Sequence, residues 1–169
     1  MPEDPEIVEG VPVGEMALGW ALVVLGCAAG AWLSAEWSQG AIRAAAPILL
    51  AGGLLALAAV RALGKGRELA TRGPYRWVRH PYYLGVLLLL VGVIVATRSL
   101  PGLILFYPAV RITLARARRE EHNLALRFGE AYLEYRRRVA FILPLHPPLS
   151  RAEAARSTVT PPADGAERE

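Results

Sequence analysis

The chain reads as an all-α integral membrane protein, with about four transmembrane helices and a C-terminal amphipathic helical segment at the cytoplasmic side. Three observations predict this class. Hydrophobic residues make up 54% of the 169 residues, and the mean hydropathy is +0.32, above what an ordinary soluble domain of this size carries. The apolar residues come in long blocks rather than at the spacing of a soluble core. The cations gather beside alternate ends of those blocks, as the bias toward positive cytoplasmic loops requires. The same arrangement accounts for the net charge of +4 without nucleic acid. The single Cys27 excludes an internal disulfide framework and reads as a small buried hydrophobe.

Met1 to Gly14 is an acidic lead-in without the cationic start of a cleavable signal. Residues 16–35 are apolar over about the 20 residues a bilayer requires. Their Gly26-x-x-x-Gly30 spacing offers a smooth packing face, and a possible homodimer contact. After a short turn at Glu36–Gly40, residues 41–63 form the second span, with Arg43 and Arg61 near enough to its ends to snorkel outward. The next loop carries Lys65, Arg67, Arg72, Arg76 and Arg79 against Glu68 alone, which places it in the cytoplasm.

Residues 82–97 form a third, shorter span dense in Leu and Val, followed by a tight turn from Thr97 to Gly102. Residues 100–115 return as the fourth span, interrupted by Pro108 and Arg111. Residues 116–139 are amphipathic, with Leu124, Phe128, Ala131, Tyr132 and Tyr135 at helical spacing. Gly129 predicts two helical pieces there rather than one. The reading gives one membrane domain over residues 1–144, both termini in the cytoplasm, and a tail over residues 145–169 whose Ala, Pro, Thr and charge predict disorder.

The chemistry concentrates in Thr71–Gly85, TRGPYRWVRHPYYLG. Pro74 and Pro81 remove backbone donors and fix φ. His80, just before Pro81, is pushed toward extended geometry and so presented rather than laid along a helix face. Arg111 lies in an apolar run, where a guanidinium costs on the order of 2.5–3.5 kcal/mol at mid-helix. Either it faces a polar site inside the bundle or it snorkels to the cytoplasmic edge. Glu120 and Glu121 are adjacent on a helix, so one can face solvent while the other faces the bundle. They also admit the plain reading of a charged surface paired with Arg116 and Arg119. His122 and His146 have no partners at metal spacing, and neither a phosphate-cradling glycine loop nor a Ser/His/Asp set is present.

Two motifs carry a resemblance. Gly73-Pro74-Tyr75 with Arg79-His80-Pro81-Tyr82-Tyr83-Leu84-Gly85 resembles the RHPxYxG signature of the isoprenylcysteine carboxyl methyltransferase family. Glu120-Glu121, then Phe128-Gly129-Glu130-Ala131-Tyr132-Leu133-Glu134-Tyr135 and Arg138-Val139, resembles that family's C-terminal signature. Together they cover roughly residues 69–144. The resemblance implies a membrane enzyme that uses S-adenosylmethionine at the cytoplasmic end of its bundle. It implies that His80, Tyr83, Gly85, Glu120 and Glu121 shape or hold the cofactor site, and that Tyr132 and Tyr135 pack a lid over it. Arg79 and Arg111 would face a lipophilic or lipidated acceptor, with a carboxylate among its candidate groups. No metal is expected. Two other readings stand beside this one: an NADPH-dependent membrane reductase of the sterol-reductase type, which shares a similar C-terminal pattern, and a non-catalytic helical bundle with a basic face.

Overall fold

A computed structural model describes residues 13–34, 38–63, 69–144, 149–150 and 153–154. Among these the architecture is helical, with helices α1 (Val13–Ser34), α2 (Gln39–Ala62), α3 (Pro81–Thr97), α4 (Leu100–Phe128) and α5 (Glu130–Arg138). α1, α2 and α4 are long and apolar enough to cross a membrane, while α3, with 17 residues, is the shorter apolar helix that the sequence predicts. The acidic lead-in over residues 1–12, most of the turn before Ser38 and the Gly64–Glu68 stretch lie outside the described residues.

The helices pair as α2 on α3 and α1 on α4, with α3 also touching α1 and α4. Small residues make the seams. On α4 the buried positions are Gly102, Ala109, Thr113, Ala117, Glu121 and Phe128, a stripe of mostly small side chains that lets α1 approach closely. Gly26 and Gly30 belong to this seam: Gly26 faces Gly102 and Leu105, and Gly30 faces Ser99, whose hydroxyl donates to the Gly26 carbonyl at 2.9 Å. That face is taken by α4, so it is not free for the self-association its spacing suggests.

The turn between α3 and α4 is as tight as the sequence predicts. Arg98 takes a left-handed conformation at φ 50° and closes α3, and the Ser99 hydroxyl caps α4 by accepting from the Gly102 amide at 3.0 Å. α4 then runs unbroken past Pro108 and on to Phe128, so the predicted fourth span and the first amphipathic piece are a single helix. The break comes at Gly129, whose φ of +54° is strained for any residue with a Cβ. It turns the chain so that α5 folds back over the bundle end. Buried Tyr132 and Tyr135 join Leu69, Phe128 and Val139 in one cluster beneath α5.

Candidate active site

The stretch before α3 builds one wall of the site. Gly73–Arg76 forms a single 3-10 turn with Pro74 near its start. The chain then runs extended beside the segment that follows α5: Val78 bridges Ala140, and the Arg79 amide donates to the Ala140 carbonyl at 2.9 Å. The Tyr135 hydroxyl donates to the Tyr75 carbonyl at 2.8 Å, which ties α5 to the turn. His80 is the N-cap residue of α3, with φ −123° and ψ 58°, non-helical as its place before Pro81 favours but short of the extended geometry that the sequence predicts. Its ring is buried, not open to solvent, between a stacked Tyr83 at 5.6 Å and the edge of Phe141 at 5.1 Å.

α4 supplies the opposite wall. One residue step turns a helix by about 100°, and the two glutamates divide accordingly: Glu121 has an 8% exposed side chain and Glu120 a 50% exposed one. Glu121 Oε1 stands 2.6 Å from Arg79 Nε and 3.4 Å from His80 Nε2, and its Oε2 lies 3.9 Å from Arg136 Nε. The Arg79–Glu121 contact is a charge pair rather than an aligned hydrogen bond, since neither atom has a hydrogen-bond partner among the described residues. Arg79 aligns Nη1 elsewhere. Its Nη1 donates to the Arg136 carbonyl at 2.6 Å and the Val139 carbonyl at 3.2 Å, at the end of α5. Glu120 instead accepts from the Tyr83 hydroxyl at 3.0 Å, and Arg116 Nε donates to that same hydroxyl at 3.1 Å.

These walls enclose a cavity of about 620 Å³. Arg79, His80, Tyr83, Glu120, Tyr132 and Tyr135 line it, so both sequence motifs meet in one place. Glu121 stands behind the lining and holds Arg79 and His80. α1 adds an apolar side through Met16, Ala17 and Trp20, with the Trp20 indole fixed by donation to the Thr113 hydroxyl at 3.1 Å. Tyr132 is 1% exposed, and among the described residues its hydroxyl has no aligned hydrogen-bond partner, although the Glu121 carboxylate acts on it, an uncommon state for a buried polar group.

Two candidates stand apart. Arg111 is exposed, on the face of α4 that also carries Leu100, Ile104 and Tyr107, and it does not line the cavity. Gly85 is buried against Gly52 and Ala56 of α2, away from the lining. The sequence reading also missed contributors. Arg116 is legible only as the partner of Glu120 at i, i+4 spacing, and Trp20 and Phe141 carry no signal beyond their size. No group of His, Cys, Asp and Glu able to hold a metal occurs among the described residues.

Burial pushes the Tyr75, Tyr132 and Tyr135 hydroxyls above the usual tyrosine range. For Tyr75 the Glu120 charge adds to this, for Tyr132 the Glu121 charge, and for Tyr135 the neighbouring Tyr132. A hydroxyl whose folded pKa is raised contributes stability fully present below its unfolded value of about 10 and lost as pH rises beyond it. Thermal melts in detergent should therefore be insensitive to these groups up to about pH 10 and fall above it, more gently in Tyr135→Phe. A Tyr135→Phe protein with the same alkaline slope as the parent would remove Tyr135 from this account.

The phospholipid methyltransferase family profile matches residues 42–131, more than half of the chain. The protein-S-isoprenylcysteine O-methyltransferases of Mus musculus and Rattus norvegicus are each 35% identical to it over 77 residues. That stretch is 45% of this chain and spans only 27% of each relative's length. No solved structure matches. The match takes in α3 and all of α4, the two helices that carry His80, Tyr83 and the glutamate pair. The chain belongs to the phospholipid methyltransferase family.

Proposed function

We propose that this protein transfers a methyl group from S-adenosylmethionine to a lipophilic or membrane-associated acceptor at the cytoplasmic end of its bundle. The observation that carries the reading is the convergence of both motifs on one cavity. Its volume of about 620 Å³ falls within the roughly 300–1,000 Å³ of small-molecule sites. The orphaned Tyr132 hydroxyl suits a polar group of the cofactor. The Glu120 carboxylate and the aromatic face of Tyr83 suit a cation at the cavity. S-adenosylmethionine would supply an electrophilic methyl carbon on a sulfonium, and this chemistry needs no metal. The cations at this end of the bundle, among them Arg72, Arg76, Arg116, Arg118 and Arg119, favour a cytoplasmic face with both termini on that side.

The residues divide by role. His80, Tyr83, Glu120, Tyr132 and Tyr135 form the cofactor side. Glu121 and Arg79 act as a clasp: Arg79 gives Nη1 to the Arg136 and Val139 carbonyls at the end of α5 and so positions the lid from the cavity wall. Arg116 takes the acceptor role first given to Arg111: it lines the cavity, as Arg127 of α4 also does, and its Nε donates to the Tyr83 hydroxyl. Its guanidinium suits an anionic head such as a carboxylate, already a nucleophile at neutral pH. Met16, Ala17 and Trp20 offer the apolar wall that a lipophilic body needs.

With an S-prenylated cysteine analogue as acceptor, Arg116→Ala should lower turnover by on the order of 10²-fold through lost orientation. Its affinity for S-adenosylhomocysteine should change little. Arg111→Ala, on the lipid-facing side, should stay within about twofold of the parent, as surface replacements do. The reverse ranking of the two variants would return the acceptor role to Arg111. The deciding measurement is calorimetric titration of the detergent-purified protein with S-adenosylhomocysteine and, in parallel, NADPH. Binding of the first alone is expected. Binding of NADPH alone, or of neither by folded protein, would overturn the proposal.

A further inference from the structure

The chain beyond Pro144 returns to the site. The Leu149 amide donates to the Arg76 carbonyl at 3.0 Å, and Arg76 Nε donates to the Leu149 carbonyl at 2.6 Å. The Thr71 hydroxyl, fully buried, donates to the Ala154 carbonyl at 2.8 Å. Ser150 and Glu153 cap each other: the Glu153 amide donates to the Ser150 hydroxyl at 3.2 Å and the Ser150 amide to the Glu153 carboxylate at 2.9 Å. This reciprocal pair is a capping box. Glu153 also meets Arg138 of α5 at 3.5 Å, an exposed pair worth little by itself.

The anchor is Leu149, 5% exposed. It packs in one cluster with Leu69, Phe128, Tyr132, Tyr135 and Val139. The first four of these also line the cavity. Leu149 thus stands directly behind the cofactor side, at the seam where the stretch before α3 meets α5. Three backbone carbonyls, at positions 76, 149 and 154, accept hydrogen bonds across this contact.

We propose that Leu149, Ser150, Glu153 and Ala154 belong to a strap whose docking and cofactor binding are coupled, with Leu149 as the positioning residue acting through Tyr132 and Tyr135. The proposal rests on the cofactor reading above. Coupling is reciprocal: whatever factor the docked strap adds to ligand affinity, the ligand adds to strap docking. Couplings of this kind are typically about 5–150-fold.

The test has two arms on the detergent-purified protein, both with S-adenosylhomocysteine as the probe. In the first, its Kd is measured for the full chain, for a chain ending at Pro144, and for Leu149→Ala and Leu149→Met. Loss of the strap should raise Kd by about tenfold, Leu149→Ala should raise it in part, and Leu149→Met should restore it. Leu149→Ala keeps the test open if the shortened chain does not fold. In the second arm, hydrogen exchange at the Leu149 amide is followed with and without the probe. Saturating probe should slow that exchange by a factor close to the rise in Kd, a response that a merely structural tail would not give. Unchanged Kd in Leu149→Ala together with unchanged exchange would overturn the strap while leaving the cofactor reading intact. No binding by the full chain would overturn the cofactor reading, and the strap with it.

Discussion

Replacing Glu121 by alanine should unclasp α5 and abolish cofactor binding, with the largest stability loss of any single change at the site. The reasoning is electrostatic. Glu121 is 7% exposed and faces Arg79, His80 and Arg136 from one carboxylate. An intact buried ion pair contributes little net stability, because desolvation offsets the attraction. Removing one partner is different, since it leaves the other charge buried and uncompensated, at a cost of about 3–5 kcal/mol. Arg79, with its side chain 11% exposed, would be that charge. It can escape only by swinging toward solvent, and doing so releases the Arg136 and Val139 carbonyls at the end of α5. Tyr132 and Tyr135 would lose their placement with it.

Glu120→Ala makes the control. That carboxylate is half exposed and bonded to Tyr83, so its loss should lower affinity and turnover while sparing most of the melting temperature. Glu121→Gln should fall between the two, because the amide keeps the shape and a hydrogen-bonding oxygen but not the charge. Thermal melts and S-adenosylhomocysteine titrations of the three variants would check the order. A Glu121→Ala protein that melts and binds like the parent would show that Arg79 and His80 are held by something else.

The same helix explains which parts of the site were legible in the sequence. Adjacent glutamates must diverge on a helix, so one buried and one open carboxylate was one of the two readings the sequence allowed, beside a solvated face paired with Arg116 and Arg119. The hinge before α3 was legible from its prolines, and the lid break from Gly129. Arg111 was harder. In a membrane helix the outward face is as apolar as the packed one, so hydropathy does not give the phase. Residue size does: Gly102, Ala109, Thr113 and Ala117 mark the packed stripe of α4. Arg111 lies two residues from Ala109, about 200° around the helix, and so points away. Read that way, Arg111 belongs outside. Arg116 remained hidden because it stands in a run of cations that orientation alone explains. Most of the tail over residues 145–169, whose composition predicts disorder, lies outside the described residues, but Leu149 and Ala154 meet the wall of the site. A tail of Ala, Pro, Thr and charge resembles a solvated one, and its Ser150-x-x-Glu153 capping box and lone Leu149 are weak signals until the wall they meet is known.

Gly85 separates a ligand contact from a packing contact, and the expected result is a loss of fold before any loss of binding chemistry. A Cβ built at Gly85 would stand 2.7 Å from the Ala56 amide nitrogen and 2.9 Å from the Gly52 carbonyl oxygen. Both obstacles are backbone, so no side chain can move aside to make room. The closeness is mutual, since a Cβ at Gly52 would stand 2.8 Å from the Gly85 carbonyl. α2 and α3 must therefore separate to admit even one methyl. Overpacking of a tight core costs about 1–3 kcal/mol, and the backbone on both sides places Gly85→Ala toward the upper end, with Gly85→Val beyond it. The consequence reaches the site through geometry. α3 carries His80 and Tyr83 one turn from Gly85, and the end of α2 lends Leu63 to the cavity. A shifted seam should thus weaken S-adenosylhomocysteine binding only in step with a lowered melting temperature, and Gly85→Val should lose both. If Gly85→Ala instead keeps the parent's melting temperature and loses binding, the glycine makes room for the cofactor itself, and the cavity must extend deeper along α3 than its lining indicates.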